Sequence, residues 1–420
     1  MRKTQNILGF LILLAILFIG KSQLKSGMLF FRLVMGLGLG YALTRSFMGF
    51  AGSVNRAYKT GSTKLMRTLM GMFVASAALS TAVLYNSDPS TFDLWVNPIN
   101  TGLILGGLLF GFGMTFSMCC ASGVLTDIVT GLPRAFVTLI FFGMGVFLGY
   151  PIQSRASWIK DSWFTSETGA KLAGGVYLPD LFKWDGLDGY LGALILTGIF
   201  AVIVVWISMK YEDSQKMSGK YKGVESEIIQ YAPAEKEEFE PFKLFSEKTY
   251  KKVFVKPWKM ETGAAVITGI FTILMGVTKS GWGASTPYGI WFGKFLMIFG
   301  VSPEKLGEFT NKSAAAYTAP FFENGVNVQN IGIILGTLVC LLLAGSFKET
   351  FTSELKISFK DILLYALGGL LMGYGTRLSN GCNVGALYTP IANFSLSGWI
   401  FLIALVAGGI FGNKVAKKLR

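Results

Sequence analysis

The chain has 420 residues, 52% of them hydrophobic and only 15% charged, with a mean hydropathy of +0.52. A soluble domain carries about a quarter charged residues, so the composition excludes an ordinary soluble protein and predicts an all-α polytopic membrane protein. The absence of histidine excludes His-based acid–base or nucleophile chemistry and most zinc sites, and the net charge of +14 lies in loops flanking apolar runs, where the positive-inside rule places it, rather than on a nucleic-acid surface.

In chain order, Met1-Arg2-Lys3 precedes an apolar run over 7–20. This resembles a signal peptide, but no small-residue cleavage site follows, so it reads as an uncleaved first membrane helix. Further candidate spans fall at 29–44, 66–85, 101–118, 135–151 and 188–209, then at 262–277, 288–300, 329–346, 362–378 and 396–415. The stretches 29–44 and 288–300 are short for a crossing, and about ten spans are expected in all. Residues 210–260 are rich in Lys and Glu and form a hydrophilic linker. The predicted organisation is a first membrane half over 1–209, with 7–20 and 188–209 as added helices, the linker over 210–260, and a second membrane half over 261–420.

Loop charges give an orientation. The loop 45–65 carries Arg45, Arg56, Lys59 and Lys64, and the C-terminal tail carries Lys414, Lys417, Lys418 and Arg420. The loop 87–100 has no basic residue and holds Asp88 and Asp93. The linker, the 45–65 loop and the C-terminus are therefore expected in the cytoplasm, with 87–100 outside.

One motif occurs twice. Gly106-Gly107-Leu108-Leu109-Phe110-Gly111-Phe112-Gly113 runs on through Ser117 and Cys120 to Gly123 and Leu125. Gly368-Gly369-Leu370-Leu371-Met372-Gly373-Tyr374-Gly375 runs on through Ser379 and Cys382 to Gly385 and Leu387. The offset is a constant 262 residues, and ten of twenty aligned positions are identical. A fainter pair, Thr44-Arg45-Ser46-Phe47-Met48-Gly49 and Thr278-Lys279-Ser280-Gly281-Trp282-Gly283, precedes it in each half. With the assigned orientation the two copies run in opposite directions. Inverted repeats place a central site on a pseudo-two-fold axis in the membrane plane.

After each cysteine the pattern breaks, with Gly131 and Pro133 in the first copy and Pro390 and Asn393 in the second. Irregular backbone at membrane depth survives inside protein or beside a wet cavity, so each motif predicts a re-entrant hairpin of two short helices. Their N-termini would offer N–H groups to an anion. Neutral thiols at Cys120 and Cys382 would add weak, soft S–H donors, suited to a sulfur- or selenium-bearing anion. Lining candidates beside them are Cys119, Ser117, Gly123, Ser379, Asn383 and Gly385. Cys119 has Gly381 as its counterpart, so the symmetry requires no thiol there. Cys340, in an apolar run, reads as a small hydrophobe. Arg45, Lys279 and Arg377 stand beside the breaks, where they either offset an anion's charge or snorkel to the interface. Asp127 and Asp361 have interface roles at most. The four cysteines are too few and scattered for a metal centre, and neither a cofactor nor a metal is expected.

Together these segments resemble a known family. Gly111 to Met114 with Cys120-Ala121-Ser122-Gly123, and Gly375-Thr376-Arg377-Leu378-Ser379-Asn380-Gly381-Cys382-Asn383-Val384-Gly385-Ala386, look like the two signature segments of the YeeE/YedE sulfur-transport family. Ser395-Leu396-Ser397-Gly398-Trp399 looks like its continuation, and 278–300 is similar to a segment of the YedE branch. The resemblance spans nearly all of the chain outside the linker and the first helix. It implies an inner-membrane uptake protein for thiosulfate, in which buried cysteines relay the anion through S–H contacts along an hourglass passage. By motif these are Cys120 and Cys382. The thiosulfate branch resembles a three-cysteine relay, and here the first re-entrant segment has Met48 and no cysteine. Either Met48 or backbone serves there, or the substrate is a selenium compound, as the YedE branch's link with selenium metabolism implies.

The expected protein is thus a transporter and not an enzyme, with a small sulfur oxyanion as substrate, lipid as surroundings and no nucleic acid. Facilitated diffusion and partner-driven uptake, for instance with a small cytoplasmic sulfur-carrier protein, both remain open. The opposing class is a rhodanese-like sulfur-transfer enzyme, which needs an accessible thiolate in a cationic pocket.

Overall fold

The computed structural model describes residues 2–232, 243 and 246–419. The rest of the expected linker, 233–242 and 244–245, lies outside the described residues, apart from residue 243. The longer helices are α1 (Arg2–Gln23), α2 (Gly27–Arg45), α3 (Gly52–Thr60), α4 (Lys64–Leu84), α5 (Thr101–Ser117), α6 (Gly123–Thr130), α7 (Leu132–Arg155) and α8 (Tyr190–Met217). The second half supplies α9 (Met260–Thr278), α10 (Tyr288–Ile298), α11 (Gly325–Ala344), α12 (Phe359–Leu378) and α13 (Leu396–Leu419).

Among the described residues, eight of these helices are long and apolar enough to cross a membrane: α1, α2, α4, α7, α8, α9, α11 and α13. α5 is shorter, and α12 is more polar because it carries Lys360, Asp361 and Arg377. Both are nevertheless central. α2, expected to be short, is a helix of 19 residues. α10 is short indeed, at 11 residues. α8 runs past the expected boundary at 209 to Met217, because Glu212 anchors the extension by accepting from Thr63 N (3.0 Å) and Arg67 Nη2 (3.1 Å).

Local sequence sets the helix starts. Asn100 Oδ1 accepts from Leu103 N (2.9 Å) before α5. Ser358 and Asp361 exchange hydrogen bonds at the head of α12, a capping arrangement. Asp361 is thus a capping residue, while Asp127 pairs with Arg134 at 3.2 Å.

Glycines set the packing. A Cβ on Gly106 would fall 2.7 Å from Gly375 O, and one on Gly113 would fall 2.6 Å from Gly368 O. Low numbers on α5 therefore oppose high numbers on α12, and the two helices run antiparallel. The remaining pairs exchange between halves. α12 packs on α7 as α5 packs on α13, and α2 packs on α11 as α4 packs on α9. An exchange that maps one antiparallel helix onto the other is a two-fold rotation perpendicular to both. For helices that span a membrane, that axis lies in the membrane plane, which is the inverted-repeat arrangement.

The two faces are distinct. Gln230 Nε2 donates to Ser46 O (2.7 Å), Lys222 N to Thr60 O (2.8 Å) and Asn413 Nδ2 to Asn55 Oδ1 (3.0 Å). The 45–65 loop, the described part of the linker and the end of α13 thus share one face, here the linker face. On the opposite face Asp93 N donates to Lys279 O (2.8 Å) and Leu396 N to Val176 O (3.1 Å).

Candidate functional site: a passage between the two cysteine breaks

Among the described residues, α2, α5, α9 and α12 each end in a break that a shorter helical piece follows. The expected hairpin of two short helices is corrected here: the first arm of each is a longer helix, and only the second is short. The two cysteine breaks are built alike. Ser117 Oγ donates to Gly113 O (3.1 Å) and Cys119 O (3.2 Å). Ser379 Oγ donates to Gly375 O (2.9 Å) and Gly381 O (3.0 Å). Met118 and Asn380 follow in the left-handed region, with φ of 60° and 57°. The paired serines therefore tie off helix ends. Ser117→Ala is expected to cost about 1 kcal/mol of stability and to leave the substrate KM unchanged, as thermal unfolding and uptake kinetics on one preparation will show.

Cys120 sits in the turn before α6. Its Sγ accepts from Gly123 N (3.4 Å) and lies 3.4 Å from Ser122 Oγ. The sulfur thus takes a free N–H at the head of α6, and its thiol and the Ser122 hydroxyl lie within hydrogen-bond reach of each other. Cys382 leads into a π-helical turn, Asn383–Tyr388, and the short helix Thr389–Ala392. Its carbonyl accepts from Ala386 N (2.6 Å). The contrast between Cys119 and Gly381 has a steric reason: a Cβ on Gly381 would fall 2.5 Å from the Gly385 carbonyl carbon.

Cys120 and Cys382 are each 1% exposed, and Cys119 is buried too. All three lie within electrostatic range of Tyr288, whose hydroxyl donates to Ala121 O at 2.7 Å. This tyrosine, on α10, ties the second half to the turn holding Cys120. The sequence offered no signal for it beyond its place after a break.

A cavity of about 760 Å³ on the linker face includes the buried Cys119 and Cys120 in its wall. Arg45, Met48 and Gly123 also line it, together with Arg56 and Lys59. Arg45 Nε donates to Lys256 O (3.1 Å), so this arginine is fixed to the linker and does not snorkel. Arg56 pairs with Glu227 at 3.7 Å. Val224, Val255 and Pro257 put the linker into the cavity wall, a role its polar composition did not announce.

The other candidates lie elsewhere. Asn383 Nδ2 donates to Met114 Sδ (3.2 Å), while its Oδ1 is buried with no partner among the described residues. Gly385 lies under the Trp95 indole, where a Cβ would fall 2.1 Å from the ring. Trp95 Nε1 donates to Asp93 Oδ2 (2.6 Å), so a residue of the 87–100 loop covers the Cys382 break from the opposite face. Lys279 is exposed on that face, 5.6 Å from the Phe92 ring, and does not join Arg45. Cys340 is buried beside Arg45. Among the described residues no His, Cys, Asp or Glu cluster could hold a metal ion.

Known proteins share this layout in sequence. The thiosulfate transporter TsuA of Spirochaeta thermophila is 26% identical over 322 residues, covering 74% of this chain and 76% of that protein. TsuA of Escherichia coli is 21% identical over 382 residues, covering 90% and 91%. A protein of Escherichia coli named "Probable transporter YedE" is 32% identical over 151 residues, 36% of each chain. The family model described as "Sulphur transport" matches residues 45–411, which include all four breaks and both cysteine motifs. The chain therefore belongs to the sulphur transport family of membrane transporters.

Proposed function

We propose that this protein takes thiosulfate up across the cell's inner membrane and relays it between the thiols of Cys120 and Cys382. The two membrane halves, 1–209 and 261–420, flank the passage, and the 210–260 linker and the C-terminus face the cytoplasm. One observation carries the reading. The repeated cysteines occupy equivalent breaks related by the two-fold, and one of them stands in the wall of a cavity lined by Arg45, Arg56 and Lys59. Three basic residues against one carboxylate, Asp127, in the lining attract an anion, and the thiol meets its soft sulfur. The Cys120 sulfur accepts from Gly123 N, and its S–H turns from Ser122 Oγ to donate to the substrate. Such contacts are weak, as passage requires, since the permeant must leave as readily as it binds. Similarity to two proteins named as thiosulfate transporters supports the substrate. A small sulfur-carrier protein would meet the anion at the cytoplasmic mouth.

Met48 favours a second substrate, a selenium compound. It lines the cavity where the family's thiosulfate branch resembles a further cysteine, and a thioether donates no proton. Uptake of labelled thiosulfate, sulfate or selenite by cells making this protein separates the two. Accumulation of labelled thiosulfate, with no accumulation of labelled sulfate or selenite, supports the first reading. No uptake above control cells sinks it, and labelled selenite uptake in its place supports the second.

A further inference from the structure

Two cations meet one aromatic ring on the face opposite the linker. Arg377, near the end of α12, is only 5% exposed, and its guanidinium carbon lies 5.5 Å from the centre of the Tyr150 ring. Lys312, from the segment joining α10 to α11, places Nζ 4.2 Å from the same centre. Tyr150 is itself fixed, donating through its hydroxyl to Thr286 O at 2.7 Å. Arg377 Nε donates to Thr376 Oγ1 at 3.2 Å. Among the described residues no carboxylate forms an ion pair with either cation. Arg377 does not snorkel outward, because its stem lies on Gly149, where a Cβ would fall 2.6 Å from Arg377 Cβ and Cγ.

This arrangement is costly without a counter-charge. A buried guanidinium is desolvated, and a second cation nearby repels it. Burial holds the Lys312 ammonium below its ordinary value, and the Arg377 charge adds to this. The aromatic face offsets only part of the cost. An anion between the two would offset the rest. Arg377 precedes Cys382 by five residues, at the helix end that leads into the second cysteine break, and lies within electrostatic range of that thiol.

We infer that Arg377 and Lys312, held on the Tyr150 ring, form an anion-capture site that admits small divalent oxyanions from the face opposite the linker and passes them to Cys382. The direction of passage rests on the transport reading above. The capture site takes thiosulfate and sulfate alike, since a guanidinium and an ammonium read charge and oxygen atoms. Selection between the two falls to the thiols deeper in the passage.

Equilibrium binding of labelled thiosulfate and labelled sulfate to the purified full chain tests the site. The Cys120→Ala/Cys382→Ala double variant is expected to bind both anions. Adding Arg377→Gln to it should weaken both by about tenfold or more, as for loss of a charge-assisted partner, and adding Lys312→Met should weaken both to a lesser degree. Arg377→Lys should retain most of the binding. Lys312 stands on a loop between helices and is partly exposed, so its variant tests the site even where Arg377→Gln fails to fold. In uptake, Lys312→Met should raise the KM and spare the maximal rate. The inference is overturned if the double variant binds neither anion, or if Arg377→Gln and Lys312→Met bind as the parent does. Wild-type chain that binds both anions at Arg377 and moves no thiosulfate would refute the transport reading alone.

Discussion

Cys382→Ala is expected to lower the initial rate of labelled thiosulfate uptake by about fivefold to thirtyfold, at an unchanged amount of protein in the membrane. That range corresponds to removal of one donor worth about 1–2 kcal/mol at a point every anion must pass. The loss should be kinetic and not structural. The thiol is 1% exposed, and its sulfur makes no hydrogen bond among the described residues, so alanine removes a small buried group and orphans no partner. Cys120→Ala is expected to act similarly, though it also releases Gly123 N, which the sulfur now satisfies. Cys382→Ser keeps a donor and should retain more activity than the alanine variant. Cys340→Ala should lower the rate less than either, because Cys340 lies at the α11–α2 seam and touches Arg45 without belonging to either cysteine break. Normal rates in both Cys120→Ala and Cys382→Ala would end the relay idea and leave the fold untouched.

Gly373→Leu is expected to remove folded protein from the membrane. A Cβ at this position falls 2.1 Å from Phe142 O, and the facing Gly145 has a similar clash with Leu370 O at 2.3 Å. Both obstacles are backbone, which cannot rotate aside as a side chain does. α7 and α12 would have to separate along their shared seam, at more than the 1–3 kcal/mol usual for overpacking. The two-fold mate, Gly111→Leu, should fail in the same way, because its Cβ falls 2.1 Å from Leu405 O. Gly71→Ala and Gly269→Ala, whose Cβ positions meet nothing within 4 Å, should be tolerated. The fraction of detergent-solubilised protein that elutes as a single species measures this. A normal elution profile for Gly373→Leu would mean that the seam is looser than its geometry states.

The repeat was legible because both copies needed the same residues for the same physical reasons. Gly106, Gly113, Gly368 and Gly375 recur because they let two antiparallel backbones touch. Ser117 and Ser379 recur in the same role, since each ties off a helix end. Helix ends were less legible. α8 runs on to Met217 because Glu212 finds partners on another helix, and nothing in its own segment shows them. The linker was read from its charge as a polar connector, yet Gln230 and Val224 dock it under the cavity. Arg45 and Lys279 matched as a pair, and the two-fold sends them to opposite faces, where only Arg45 lines the cavity.

Composition and periodicity alone determined that this chain lives in a bilayer, that it has two related halves, and which two cysteines are equivalent. Those properties reside in runs of neighbouring residues and in their repetition. Only the tertiary structure decided that Cys120 meets the cavity while Cys382 lies beneath Trp95, that Met48 stands in the wall, and that Arg377 and Lys312 share one ring. Each of these joins residues far apart in the chain, through helix crossings set by glycine contacts and by buried hydrogen bonds. No local pattern records where such crossings fall.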